Sequence, residues 1–155
     1  AVRKDWRALQ FALDSLQADR CFILEAVQHQ GLALKFAARP LRADREVALA
    51  AVSQHGFALM HAAEELRAQR DVVCAAVRKD WRALRYASRE LQADRELASL
   101  TVVSDSSALR HTCEEARADR DIVRIAVQAF GCALQYAAPA LRADRGIVFE
   151  AVRQD

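Results

Sequence analysis

The chain has 155 residues, of which 53% are hydrophobic and 28% charged, and its formal net charge at pH 7 is +2. So small a net charge gives little long-range attraction for a polyanion. No apolar run approaches the roughly 20 residues that cross a bilayer, which excludes membrane insertion by a transmembrane helix. Only four glycines and two prolines occur among many alanines, leucines and arginines. This composition favours a helix-rich protein.

The whole sequence is an internal repeat of 25 residues. The stretch AVRKDWRAL occurs at both 1–9 and 76–84, and six aligned lines of 25 residues contain no insertion or deletion. We number the positions within a line as places 1 to 25. Val at place 2, Ala-Leu at places 8 and 9, Ala at place 18 and Arg at place 20 occur in every line.

The repeat predicts a single array over residues 1–155. Solenoids usually close their ends with atypical polar repeats, whereas the first and last lines here resemble the others. We therefore expect a fragment of a longer array. Its repeats are 1–25, 26–50, 51–75, 76–100, 101–125 and 126–150, followed by a partial repeat at 151–155.

The first predicted element of each line is a short helix that begins near place 7. In the first line Ala8, Leu9, Ala12 and Leu16 fall on one apolar stripe, with an aromatic side chain at place 11 beside it. The helix is too short to be stable alone, so packing between repeats must stabilise it.

The two prolines predict a break after this helix. Pro40 and Pro139 stand at places 15 and 14, which suit the first turn of a helix and not its interior. We therefore expect the short helix to end near place 13 and places 14–17 to form a separate helical turn.

A longer helix follows and crosses into the next line. Asp44 is a typical N-cap residue, Arg45 and Glu46 begin the helix, and Gly56 is predicted to end it in a left-handed conformation. Places 22, 23, 1 and 2 are mostly apolar and span an arc of roughly 140°. The fold class is therefore an all-α solenoid of about six helical-hairpin repeats, packed about 8–10 Å apart.

The segment ALKFAARPLRADREVALAAVSQHG, residues 33–56, resembles the repeat known only as domain of unknown function 4116. That family occurs in unicellular algae, other protists and some bacteria. The resemblance covers the entire chain and implies an all-α repeat array without an assigned activity. The chain departs from the pattern at Trp6, Trp81 and Ser106, where the family has glycine.

Arginine at place 20 recurs beside aspartate at place 19, which predicts a ladder of charges along the stacked repeats. An arginine ladder could follow RNA, which some helical repeats read one base per unit. The structural interpretation is favoured, because each cation has its own neutralising acid nearby. The predicted ladder comprises Asp19, Arg20, Asp44, Arg45, Arg70, Asp94, Arg95, Asp119, Arg120, Asp144 and Arg145.

A partner surface is expected where places vary and point outward, at places 10 and 3. The mixture of residues there does not form a two-letter base code, so a protein partner fits better than RNA, with a plain solvated face as the competing interpretation. Tryptophan at place 6 either fills the corner between helices or anchors a partner. The candidate partner-binding residues are Trp6, Lys35, Met60, Trp81, Arg85 and Arg110.

Catalytic and metal sites are not expected. Asp105, Ser107 and His111 lie close in sequence, but Asp105 is an ordinary capping residue and His111 occupies the aromatic place 11. No CxxC or HExxH spacing occurs, and no glycine-rich phosphate loop or cofactor motif is present. The four cysteines occupy four different places, which favours free thiols in a reducing intracellular compartment.

The sequence therefore predicts a non-catalytic repeat scaffold for protein interaction or structural assembly. One alternative is an RNA-binding helical array. A second is an accessory domain of a larger enzyme whose catalytic part lies outside these residues.

Overall fold

The computed structural model describes residues 6–154, and throughout this range each repeat contains three helical elements. The described part of the chain is all-α and contains no strand, which confirms the predicted all-α repeat array. A long helix of up to ten residues is followed by a six-residue 3₁₀ helix and then a short helix of four or five residues.

The bounds of the elements follow the 25-residue period. The 3₁₀ helices are Trp6–Phe11, Gly31–Phe36, Gly56–His61, Trp81–Tyr86, Ser106–His111 and Gly131–Tyr136. The short helices are Asp14–Gln17, Arg39–Arg42, Glu64–Arg67, Arg89–Gln92, Glu114–Ala118 and Pro139–Arg142. The long helices are Arg20–His29, Arg45–Gln54, Arg70–Lys79, Arg95–Ser104, Arg120–Ala129 and Arg145–Val152.

The prolines stand where the sequence predicted them, within the first turn of a short helix. The prediction of one continuous helix at places 7–13 needs a correction, because places 6–11 form a 3₁₀ helix. In 3₁₀ geometry the side chains at i and i+3 lie on the same face. Leu16 lies in the separate short helix Asp14–Gln17, so it does not extend the apolar stripe that contains Ala8 and Leu9.

The chain divides into two compact units, residues 1–88 and 89–155. In the first unit successive long helices pack against each other, and the 3₁₀ helices form a second layer beside them. The second unit repeats this packing around its own apolar core. The assignment of residues 1–155 to a single array stays a prediction.

The buried face of the long helix is the one that the pattern predicted. Val47, Ala48, Ala51 and Val52, at places 22, 23, 1 and 2, are fully buried. Asp44 caps this helix by accepting hydrogen bonds from two backbone N–H groups, as predicted. The small alanines allow neighbouring helices to pack closely.

The predicted role of Gly56 is wrong. No residue in the described chain has a positive φ, and the long helix ends at Gln54 with His55 in an extended conformation. Gly56 begins the next 3₁₀ helix, where an added Cβ would lie 2.6 Å from the carbonyl oxygen of Ala76 in the following repeat. At Gly31 the corresponding distance to the Ala51 oxygen is 2.2 Å. Glycine is needed here for close approach of backbones between repeats.

Backbone hydrogen bonds also join consecutive repeats. The N–H of Ala38 donates to the carbonyl of Gln17 at 2.8 Å, and the N–H of Ala63 donates to the carbonyl of Arg42 at 2.9 Å. In the second unit the N–H of Ala138 donates to the carbonyl of Arg117 at 2.8 Å. Place 13 of one repeat is therefore fixed to place 17 of the preceding one.

Substituting Gly31 by alanine should destabilise the first unit by about 1–3 kcal/mol, because the new methyl group overlaps a fixed backbone oxygen. Urea denaturation followed by circular dichroism measures this change. The matched control is Gly146→Ala, where the added Cβ meets only the side-chain ends of Arg120 and Asp144 at 3.2 Å. Because alanine favours helix and these side-chain ends can shift by a few tenths of an ångström, the control should lose less stability than Gly31→Ala. Equal losses at both positions would contradict the close-approach argument.

Candidate interaction surface

The long helices carry ion pairs between consecutive repeats. Nε of Arg20 lies 2.8 Å from Oδ2 of Asp44, and the same guanidinium also binds Glu46. In the second unit, Nη1 of Arg120 lies 2.6 Å from Oδ2 of Asp144. Arg20 and Arg120 thus reach forward to the place-19 aspartate of the next repeat, and not to the aspartate that precedes each of them in sequence. We call these contacts the inter-repeat ladder.

The ladder aspartates have two roles at once. Oδ1 of Asp44 accepts from the backbone N–H groups of Glu46 and Val47, while Oδ2 accepts from Arg20. Both sets of bonds favour the ionised carboxylate. The hydrogen bond from the arginine side chain is the main cause that lowers the pKa of Asp44, and the same cause lowers the pKa of Asp144.

Gln69 interrupts the ladder at place 19. Its side chain makes no capping hydrogen bond to the long helix Arg70–Lys79. Arg45, the arginine of the preceding repeat, binds Asp71 at place 21 instead. The acid at place 21 therefore supplies a partner where place 19 offers none.

The remaining ladder residues occupy equivalent places. Asp19 and Asp94 each cap a long helix by accepting a backbone hydrogen bond. Arg95 binds both Asp119 and Asp121 of the next repeat. Arg70 and Arg145 begin their long helices and are exposed.

A second surface is formed by the 3₁₀ and short helices. We define the 3₁₀ face as the side chains of places 10, 11 and 17. The candidate residues at place 10 are all exposed: Lys35, Met60, Arg85 and Arg110. In the first unit the ammonium of Lys35 lies 5.5 Å from the centroid of the Phe36 ring, and the guanidinium of Arg85 lies 5.6 Å from that of Tyr86.

Of the two tryptophans, only Trp81 has a side chain that the structure describes. Trp81 is half-buried, and the guanidinium of Arg82 lies 5.2 Å from its ring centroid. It therefore combines partial packing with a cation–π contact. The side chain of Trp6 lies outside the described part of the structure, so its predicted role stays a prediction.

The arginines of place 17 were not singled out by the sequence analysis. Nε of Arg42, Arg67 and Arg117 is buried and has no hydrogen-bond partner. By contrast, the glutamine at the same place in the first repeat, Gln17, donates from Nε2 to the carbonyls of Leu9 and Ala12. A buried donor without an acceptor is unfavourable, which distinguishes these arginines from the satisfied glutamine.

Cations gather around His61 in the first unit. Burial lowers the pKa of His61, and the nearby charges of Lys35 and Arg42 lower it further. The three side chains therefore belong to one electrostatic neighbourhood, although they come from two consecutive repeats. His61 is favoured in its neutral form, so the positive charge there is carried by the lysine and the arginine.

The two surfaces differ in how their charges are compensated. On the long helices, arginines at place 20 bind carboxylates of the next repeat. On the 3₁₀ face, Lys35, Arg42 and Arg67 make no ion pair with any residue in the range 6–154. The 3₁₀ face of the first unit thus carries cations that pair with no carboxylate of the described residues. Place 17 holds glutamine in the first and fourth repeats and arginine in the other four, a difference that was visible in the sequence.

The residues considered for nucleophilic chemistry form a helix cap. Both the backbone N–H and the hydroxyl of Ser107 donate to Oδ1 of Asp105, at 2.9 and 2.6 Å. His111 is exposed, and its Nε2 accepts from Arg110 at 2.6 Å. These contacts fix the start of one 3₁₀ helix and the orientation of a surface ring.

The described residues contain no cluster of three or more His, Cys, Asp or Glu side chains that could hold a metal ion. Within the described residues no disulfide joins Cys21, Cys74, Cys113 and Cys132. Within the same range, no helix is both long and apolar enough to span a membrane.

Comparison with known proteins gives one family. The sequence model described as Domain of unknown function (DUF4116) matches residues 1–42, 44–92, 94–142 and 119–155. Each of the two central matches spans about two 25-residue repeats, and together the matches cover nearly the whole chain. The chain therefore belongs to this family. No curated protein and no solved structure matches it significantly.

Replacing Gln69 by aspartate should stabilise the first unit by about 1 kcal/mol, because it adds the missing N-cap. The new carboxylate at position 69 also gives Arg45 a second acidic partner beside Asp71, as Arg20 has in Asp44 and Glu46. Thermal denaturation measures the change. Gln69→Asn is the control, since asparagine caps without a charge. If neither variant is more stable than the parent, the argument that this repeat lacks a cap is wrong.

Acid should weaken both units through the ladder. The lowered pKa of Asp44, Asp119 and Asp144 means that their contribution is present above about pH 4, the unfolded value, and is lost as pH falls through the folded value. The melting temperature should therefore fall steeply below about pH 4. The triple Asp→Asn variant should keep its caps, melt lower at pH 7 and show a shallower acid decline. If the melting temperatures of the parent and of the triple variant fall equally with pH, the acid sensitivity does not come from these three aspartates.

Proposed function

We propose that this member of the DUF4116 family is a non-catalytic scaffold that binds protein partners through its 3₁₀ face. The coarser statement, that the chain is an all-α tandem-repeat protein of a family of unknown function, follows from the fold and the family match. The observation that carries the proposal is the contrast between buried places that repeat and exposed places that vary. Lys35, Met60 and Arg85 share place 10 and differ in charge, length and polarity.

Such a surface suits recognition of a specific partner. Rigid neighbouring elements hold the side chains of place 10, so little conformational freedom of the backbone is lost on binding. Met60 is 46% exposed and supplies a flexible apolar contact between two cations. Arginine and aromatic residues are also enriched at protein interfaces.

The charge distribution favours this proposal over the nucleic-acid alternative. Binding of a nucleic acid depends on cations that neutralise successive phosphates. Arg20, Arg95 and Arg120, which recur along the chain, already bind carboxylates. They would have to exchange existing partners in order to bind phosphate.

The proposal is tested by selection from a displayed library of protein fragments. The variant Lys35→Ala, Met60→Ala, Arg85→Ala should lose at least about tenfold in affinity for the fragments that the parent protein selects, as expected when residues that carry most of the binding energy are truncated. Binding is measured by biolayer interferometry.

The control removes three exposed residues of place 3 on the long helices, as Gln28→Ala, Ser53→Ala, Arg78→Ala. It should bind the selected fragments as the parent does. Fragments whose affinity depends on the control residues and not on place 10 would overturn the assignment of this face, and selection of no fragment would overturn the proposed function.

A further inference from the structure

Three of the four arginines at place 17 share a feature that the fold itself does not explain, whereas the fourth, Arg142, is exposed. Arg42 and Arg67 in the first unit, and Arg117 in the second, all have a buried Nε without a hydrogen-bond partner. Their guanidinium groups make no side-chain hydrogen bond or ion pair within residues 6–154. The side chains are partly exposed, so the outer Nη groups are accessible.

We propose that the 3₁₀ face of the first unit binds an extended acidic peptide, with carboxylates paired to Arg42 and Arg67. The inference rests on the proposed function and specifies the chemistry of the partner. A guanidinium that is fixed along its stem and unpaired at its end presents two parallel N–H donors. Carboxylates match this fork in a bidentate, charge-assisted arrangement.

The side chains around Arg42 differ from those around Arg67, and this difference suits a peptide in which acidic residues are separated by apolar ones. The charges of Lys35 and Arg42 both act on the neutral ring of His61, so two cations lie close together around this ring. The equivalent places of the next repeat carry Met60, Arg67 and Tyr86, which give one cation between apolar groups. A peptide with separated acids and apolar residues between them fits this order better than a continuous acidic run.

The spacing of the repeats also fits an extended chain. Packed helices lie about 8–10 Å apart, and an extended peptide rises about 3.3 Å per residue. One repeat therefore corresponds to about three peptide residues. Acids at every third position would meet Arg42 and Arg67 in succession.

No acidic residue of the described range forms an ion pair with Arg42 or Arg67. Glu64 and Glu65 begin the short helix that contains Arg67, and both are exposed. Neither makes an ion pair with a residue in the described range. Their positions at the start of that helix are favoured by the helix dipole, which explains their presence independently of a ligand.

A single-stranded nucleic acid fits the same face less well. Recognition of single strands depends on aromatic rings on which bases stack. Phe36 and Tyr86 already have cations of this chain near their rings, and Tyr86 also packs edge-on against Phe57 with centroids 6.0 Å apart. Base stacking would require these contacts to be displaced.

The test uses a fluorescent 12-residue peptide with glutamate at every third position and serine or leucine elsewhere, and binding is followed by fluorescence anisotropy at about 0.15 M salt, where the screening length is about 8 Å. The double variant Arg42→Gln, Arg67→Gln should weaken binding at least about tenfold, since it removes two charge-assisted contacts. Glutamine occurs naturally at place 17 in Gln17 and Gln92, so the variant is expected to fold. Circular dichroism and the melting temperature verify this.

The matched control is Arg78→Gln, Lys79→Gln on a long helix, where both residues are exposed and the same charge is removed. Glutamine is also native at these places, as Gln28 and Gln54. The control should change peptide affinity by less than about twofold, because long-range attraction between exposed charges is largely screened.

Three results would overturn the proposal: absence of peptide binding, equal losses in the variant and its control, or tighter binding of a 12-nucleotide oligouridylate that depends on the same arginines. Failure of the peptide alone leaves the proposed function standing if selected protein fragments still depend on place 10. A peptide of the same composition with contiguous glutamates should bind more weakly, and equal affinity would contradict the proposed spacing.

Discussion

No helix within residues 6–154 is long enough to be stable by itself. Isolated helices shorter than about 12–15 residues are marginal in water, and the elements here have at most ten residues. Contacts between consecutive repeats must therefore stabilise each element. The backbone of Gly31 lies against the Ala51 carbonyl, Ala38 donates a hydrogen bond to Gln17, and Arg20 binds Asp44. These three contacts join different parts of one repeat to the next.

This dependence explains which places are constant. Arginine at place 20 needs a carboxylate in the following repeat, and that carboxylate also caps the following long helix. Losing one residue therefore affects two repeats. At place 10 the side chains are exposed and their residue types differ from repeat to repeat. It varies while the buried places stay constant, and the proposed role in recognition rests on this contrast.

Much of the fold could be predicted from the sequence. The exact period fixed the repeat, the pattern of Val47, Ala48, Ala51 and Val52 identified the buried face, and the prolines marked the short helices. The 3₁₀ helix was missed because six residues are too few for a helical period to separate 3.0 from 3.6 residues per turn. Gly56 was misassigned because a sequence does not distinguish glycine that permits a positive φ from glycine that permits close approach.

The candidate surface was only partly predictable for a related reason. Exposure at place 10 follows from periodicity, but pairing of charges depends on the next repeat. Asp19 and Arg20 are adjacent in sequence, yet Arg20 binds Asp44, which lies 24 residues further along the chain. At place 17 the contacts show an arginine whose charged end is unpaired, in contrast to the paired Arg20. Arg42 looked like any surface arginine, although its buried stem and unpaired end distinguish it from the satisfied Gln17. The same residue type therefore links repeats at place 20 and remains available to a ligand at place 17, and only the three-dimensional contacts separate the two roles.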